Sequence, residues 1–345
     1  MLLFYEDEPG SVELKSAEPN ITMDTSTAQQ IDPLRHYGSY AFIPYHNHTE
    51  NGGVPTSTSF SPSHLTNIKA LKVYNTSSWT YSGSLLPACS KSLPASFHAW
   101  SSLTLSDPST LLHRLLPLLS FLQNYLSDAG VHCYWLTIRA SKPTKEYDER
   151  RWHVDDDFFS PDFDGRAMQA PAPRNQSNRK SSERWKVCAT LLGPSTVFLT
   201  DNDSALKTLR DTKAKQRISH QHTCTSIRCL GCSTYADSVR HSLSHSLSAF
   251  PTTSPAPKEV AFFRLGSRHG AVHSEPTCDV DRIFVNVVPG SDEELKGLLA
   301  KWGLEWPRAW CFGVPGGAVG SDEREALAKM RDEEVKEREE RGRQG

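Results

Sequence analysis

The stretch Arg151-Trp152-His153-Val154-Asp155 constrains this chain more than any other. Side chains of an extended segment leave on alternate faces, so Trp152 and Val154 point one way while His153 and Asp155 point the other. The apolar pair needs a core to bury against, and the imidazole and carboxylate then share the opposite surface. Asp156 and Asp157 follow directly, so strand parity is what selects Asp155 among three consecutive aspartates.

The surroundings read as mainly β. Val131 to Arg139, Trp185 to Leu192, Ser195 to Thr200, Glu259 to Arg264 and Arg282 to Val288 are rich in β-branched and aromatic residues. Gly193-Pro194 suits a tight turn and is expected to join its flanking strands as a hairpin. Helices flank this sheet. Asp107-Pro108 supplies a cap and a first-turn proline, and Leu111, Leu112, Leu115, Leu118, Leu119, Leu122 and Leu126 recur at helical spacing. Pro117 is expected to kink or split that helix. Ser291 with Glu294 has capping-box spacing and opens a second helix through Leu295, Leu298 and Leu299. The expected fold class is α+β, mainly β, with a jelly-roll core.

Three segments stand apart by composition. Residues 1 to 65 read as an irregular N-terminal arm whose Tyr37 to Tyr45 aromatics dock on the body, residues 66 to 310 as the folded domain, and residues 311 to 345 as a charged tail. Within the domain, residues 160 to 183 read as a loop beside the His153 strand. The stretch 201 to 257 reads as a long insertion leaning to disorder.

Downstream of the His-x-Asp triplet come Gly193, Thr196 and Phe198, then Gly270-Ala271-Val272-His273, then Arg282. Two histidines and one carboxylate make the facial set that holds Fe(II) with adjacent positions open. These features in this order resemble the double-stranded β-helix of the Fe(II)/2-oxoglutarate-dependent oxygenases, over about residues 131 to 289. Arg151 to Asp155, Thr190 to Leu199 and Gly270 to Val288 are also similar to an uncharacterised family of microbial and fungal proteins with the same layout. The oxygenase resemblance implies His153, Asp155 and His273 as iron ligands and Arg282 as the partner of the distal carboxylate of 2-oxoglutarate, with a small molecule or protein side chain as substrate. His269 competes with His273 for the distal place. Phe284 departs from the resemblance, because many members carry a small hydroxyl residue two positions after the basic one. Two other classes stay open: a cupin-type metal-binding barrel without oxygenase activity, and a non-catalytic binding or scaffold protein.

A second constellation lies in the insertion. His220, His222, Cys224, Cys229 and Cys232 offer nitrogen and sulfur donors for a structural zinc, although the spacing matches no standard finger. Eight scattered cysteines otherwise suit free thiols in a reducing compartment. With a formal charge of −2, nothing favours nucleic acid or an anionic membrane as partner. The N-terminal Met1 to Glu8 lacks a basic, apolar leader, so a cytoplasmic or nuclear protein is expected, and no apolar run approaches the roughly 20 residues of a membrane span.

Overall fold

Alternation along the central strands decides the layering. The computed structural model describes residues 37–45, 71–159, 184–221 and 229–314. The loop 160–183, the charged tail beyond 314 and most of the N-terminal arm lie outside these residues. On β4 (Trp185–Leu192) Val187, Ala189 and Leu191 face one side while Lys186 and Cys188 face the other. On β9 (Arg282–Gly290) Ile283, Val285 and Val287 join the first side and Phe284 the second. Each strand is thus two-sided, and each side finds its own partner layer.

These strands belong to a seven-stranded antiparallel sheet in the order β1-β7-β4-β9-β3-β2-β10. Its other members are β1 (Tyr40–Pro44), β2 (Ser77–Ser84), β3 (Cys133–Ser141), β7 (Glu259–Arg264) and β10 (Arg308–Phe312). One face packs on α1 (Ala95–Thr104) and α2 (Pro108–Asp128). Leu111, Leu115, Leu118, Leu119, Leu122 and Leu126 of α2 are buried there with Phe97 and Trp100 of α1. Asp107 caps α2, accepting from Ser109 N at 3.0 Å and Thr110 N at 3.4 Å. The helix runs through Pro117 without dividing. Burial of the leucine stripe holds the backbone helical despite one missing donor.

The other face looks at a three-stranded sheet, β6-β5-β8, formed by β5 (Val197–Leu199), β6 (Thr252–Thr253) and β8 (His273–Ser274). Phe198 meets Phe263 across the gap, ring centroids 5.4 Å apart, and Cys188, Ala261 and Ala271 complete this inner core. Strands outnumber α-helices ten to five among the described residues, and the two sheets do not join into a closed barrel. The hairpin expected at Gly193-Pro194 is absent: β4 pairs with β7 and β9, and β5 with β6 and β8. The chain uses the positive φ of Gly193 to cross from one sheet to the other.

The insertion is a correction. Instead of leaning to disorder, it forms α3 (Asn202–Ser219) and α4 (Leu230–Ser246), which pack on each other and on the back of the small sheet. Ala205, Leu206 and Leu209 meet Tyr235, Val239, Leu243 and Leu247 there. The last four recur every fourth residue, enough for one apolar stripe in a serine- and histidine-rich helix. Trp152, Val154, Val197, Leu199 and Val272 complete this third core. The stretch read as an arm likewise contributes β1, an edge strand registered on β7 from Tyr40–Phe263 to Pro44–Glu259. Ser291 and Glu294 form the reciprocal cap of α5 (Asp292–Ala300), as their spacing predicts. No described helix is long and apolar enough to cross a membrane.

Candidate metal centre

His153 and His273 are opposite partners of a short antiparallel bridge. His153 N donates to the His273 carbonyl at 3.0 Å, and His273 N to the His153 carbonyl at 2.9 Å. Direct opposition puts both imidazoles on one side, ring centroids 4.3 Å apart, and Asp155, two residues on from His153, joins them. The arrangement is held from behind, because Trp152, Val154 and Val272 are buried against α3 and α4. His273 is also walled by Phe263 and Phe198, at 4.8 and 5.7 Å between centroids.

Each ring is oriented by its own strand. His153 Nδ1 lies 2.7 Å from the Arg151 carbonyl and His273 Nδ1 2.9 Å from the Ala271 carbonyl. A carbonyl only accepts, so Nδ1 carries the proton, and in the neutral imidazole Nε2 is the bare nitrogen. These Nε2 atoms face Asp155, at 3.6 Å from Oδ1 for His153 and 3.5 Å from Oδ2 for His273. Burial takes His273 down to about 4, with the His153 ring pushing the same way against Asp155, so His273 is neutral at pH 7. Burial acts to raise the Asp155 pKa, but Lys186, His273 and His153 outweigh it and hold the carboxyl well below its usual range. A bare nitrogen looking at a carboxylate is repulsive unless a cation sits between them.

The three residues therefore fit a metal ion. Their ligand atoms all lie within 4.8 Å of one another. An ion bound at about 2.1 Å holds its ligand atoms up to roughly 4 Å apart, so small side-chain rotations complete the set. Backbone carbonyls that fix the ring tautomers are the outer support such ligands use.

One cation is already present. The Lys186 ammonium forms an ion pair with Asp155 Oδ2, and the two side chains are 10% and 16% exposed. Its Nζ also lies over the Phe263 and Phe158 rings, at 5.1 and 5.9 Å from their centroids. Arg282 lines the same pocket, donates Nε to the Pro194 carbonyl at 2.9 Å and stacks its guanidinium 4.5 Å above the Phe284 ring. Phe284, a departure at the level of sequence, is thus the platform for Arg282. Glu275, Arg139, Cys188 and Thr196 complete the lining. Burial pushes the Cys188 thiol up to about 11, so it is not a nucleophile here.

The structure separates the competing residues. His269 is exposed in the turn before β8, away from the cluster that His273 joins. Asp156 is exposed, and Asp157 accepts from Phe159 N at 3.1 Å, serving a turn. Lys186 and Glu275 escaped sequence reasoning, although a lone lysine between Trp185 and Val187 was a signal. Of the zinc constellation only His220, Cys229 and Cys232 are described, and among the described residues His153, Asp155 and His273 are the sole metal-competent group. His220 has both ring nitrogens engaged, with the Gln216 carbonyl at 3.0 Å and Ser238 Oγ at 3.1 Å. Cys229 and Cys232 sit at the start of α4 as thiols, while His222 and Cys224 lie outside the described residues.

The chain is matched by no family model, by no curated protein and by no solved structure.

Proposed function

We propose that this protein is a metal-dependent oxygenase of the Fe(II)/2-oxoglutarate kind, with the two facing sheets serving as a double-stranded β-helix. The observation that carries the reading is the convergence of His153 Nε2, His273 Nε2 and the Asp155 carboxylate in a pocket that also contains Arg282. In this reading the three residues hold the ion, which supplies a Lewis-acidic, redox-active centre with positions open to a chelating 2-oxo acid. Arg282 takes an oxygen at the far end of that acid, its plane fixed in advance by Phe284 and Pro194. Phe198 and Phe263 exclude water from one side of His273.

A second reading has its own observation. Because the Lys186 ammonium already neutralises Asp155, the cluster can also serve as a metal-free buried ion pair in a binding or scaffold protein. The experiment that separates them is anaerobic titration with Fe(II), followed by 2-oxoglutarate binding and succinate release in air. The oxygenase reading expects one ion per chain, co-substrate binding weakened by Arg282→Ala, and slow succinate formation. A cupin-type barrel binds the metal and ignores 2-oxoglutarate. A scaffold does neither, and that result removes the enzymatic proposal.

A further inference from the structure

A phenylalanine at position 284 leaves β9 without a hydroxyl donor beside Arg282, and the neighbouring strand holds a replacement. In the antiparallel pairing of β3 with β9, Arg139 stands directly opposite Phe284 and Ser141 opposite Arg282. Opposite residues share a face, and Arg139, Phe284 and Arg282 line the metal pocket together. Arg139 is thus the diagonal neighbour of Arg282, about 7–8 Å away at the backbone, a gap that two long side chains can close.

Both guanidiniums have donors to spare. Arg282 is 6% exposed, gives Nε to the Pro194 carbonyl at 2.9 Å and keeps a buried Nη2 with no hydrogen bond. Arg139 is the exposed residue of β3 and donates Nη2 to Tyr147 Oη at 3.1 Å, which steadies it against a buried ring. Among the described residues neither arginine forms an ion pair with a carboxylate. Burial is the main cause that lowers the Arg282 pKa, and repulsion from Arg139 adds to it against Cys188, Glu275 and Cys278. The remaining cation of the lining, Lys186, is taken by Asp155, and Glu275 pairs with neither arginine. Two guanidiniums that stay charged at any working pH therefore share one pocket with no carboxylate of the described chain to neutralise them.

We infer that Arg139 is a second co-substrate-binding residue: it and Arg282 grip the far carboxylate of the oxo acid from two adjacent strands, Arg139 supplying across the sheet the donor that Phe284 removes within β9. This rests on the metal and oxo-acid reading above and adds a residue at one end of the ligand. A carboxylate has two oxygens and accepts from both forks at once.

The test uses the full chain loaded with Mn(II), a redox-quiet stand-in for the ion, and two acids with the same chelating oxalyl amide. N-oxalylglycine has a far carboxylate and N-methyloxamic acid has none. Calorimetry should find N-oxalylglycine bound roughly ten- to a hundredfold more weakly by Arg139→Ala than by wild type, the loss that one hydrogen bond to a charged group produces. Arg139→Lys keeps the charge without the fork and should recover part of that loss. Mn(II) affinity and the weak binding of N-methyloxamic acid should be the same in all three proteins. If Arg139→Ala binds N-oxalylglycine as wild type does, or loses both acids or Mn(II) equally, Arg139 does not hold the carboxylate and the inference is overturned. If wild type takes up Mn(II) but not N-oxalylglycine, the oxo-acid reading itself fails and takes this inference with it.

Discussion

Replacing Lys186 with methionine isolates the charge that opposes Asp155. Methionine keeps the apolar stem against Phe158 and Phe263 and removes only the ammonium. Both partners are largely buried, so little of the interaction is screened by solvent. Breaking one side of such a pair leaves an uncompensated carboxylate, at about 3–5 kcal/mol. For a chain of this size roughly 2–4 °C accompanies each kcal/mol, so Tm in chelator should fall by about 6–20 °C. A divalent ion bound by Asp155, His153 and His273 restores the missing charge. At a thousandfold excess over Kd it returns about 4 kcal/mol. Scanning calorimetry of Lys186→Met in EDTA and in saturating Mn(II) is the assay. A variant as stable as wild type in EDTA refutes the buried ion pair, and a loss that Mn(II) does not recover refutes the metal centre.

Three further outcomes follow from the same geometry. His273 titrates at about 4 when folded and near 6.5 when unfolded, so the unfolded chain takes up the proton first. Metal-free stability is then complete above pH 6.5 and falls by about 3 kcal/mol as pH drops to 4. Urea titrations across that window should show the slope in wild type and not in His273→Gln, whereas the contribution of Asp155, whose pKa is depressed, declines only below about pH 4. Leu243→Ala removes a side chain that is 1% exposed in the core behind Trp152 and Val154, costing about 2–5 kcal/mol in urea unfolding and weakening Mn(II) binding through the loosened ligand segment. A variant that is destabilised but binds Mn(II) as wild type does would uncouple the helical pair from the centre. Gly193→Ala sets a Cβ 2.6 Å from the Asp281 carbonyl and 3.2 Å from Arg282 Cα, at a φ of +80° that costs an alanine about 1–2 kcal/mol. It should weaken oxo-acid binding more than Mn(II) binding, and calorimetry that finds both unchanged contradicts the role of this crossing in placing Arg282.

Local rules read well wherever one face of an element is uniformly apolar. The leucines of α2, the cap at Asp107 and the strand at Arg282 were legible because each carries its own period and its own boundary signal. Parity also placed His153 and Asp155 together, since Trp152 and Val154 demand burial on the other side. What failed was nonlocal or weakly patterned. The α3 and α4 helices each bury a single narrow stripe, so the charged remainder of α3 and the serine-rich remainder of α4 resemble loops until a partner surface is supplied. The order β1-β7-β4-β9-β3-β2-β10 has no neighbours adjacent in sequence except β2 and β3, so pairing had to come from the three-dimensional fold. Lys186 meets Asp155 only through that pairing, which brings β4 alongside β7 beneath the ligand segment. For the same reason Gly193-Pro194 looked like a hairpin turn when it is a passage between layers.

The central claim is that His153, Asp155 and His273 together bind one divalent ion. Mn(II) titration of chelator-stripped protein, read by electron paramagnetic resonance of the free ion, measures this without any assumption about substrate. One ion should be taken up per wild-type chain and none by His153→Ala or His273→Ala, with His269→Ala behaving as wild type. Equal uptake by wild type and the two ligand variants, or no uptake by any of them, contradicts the claim.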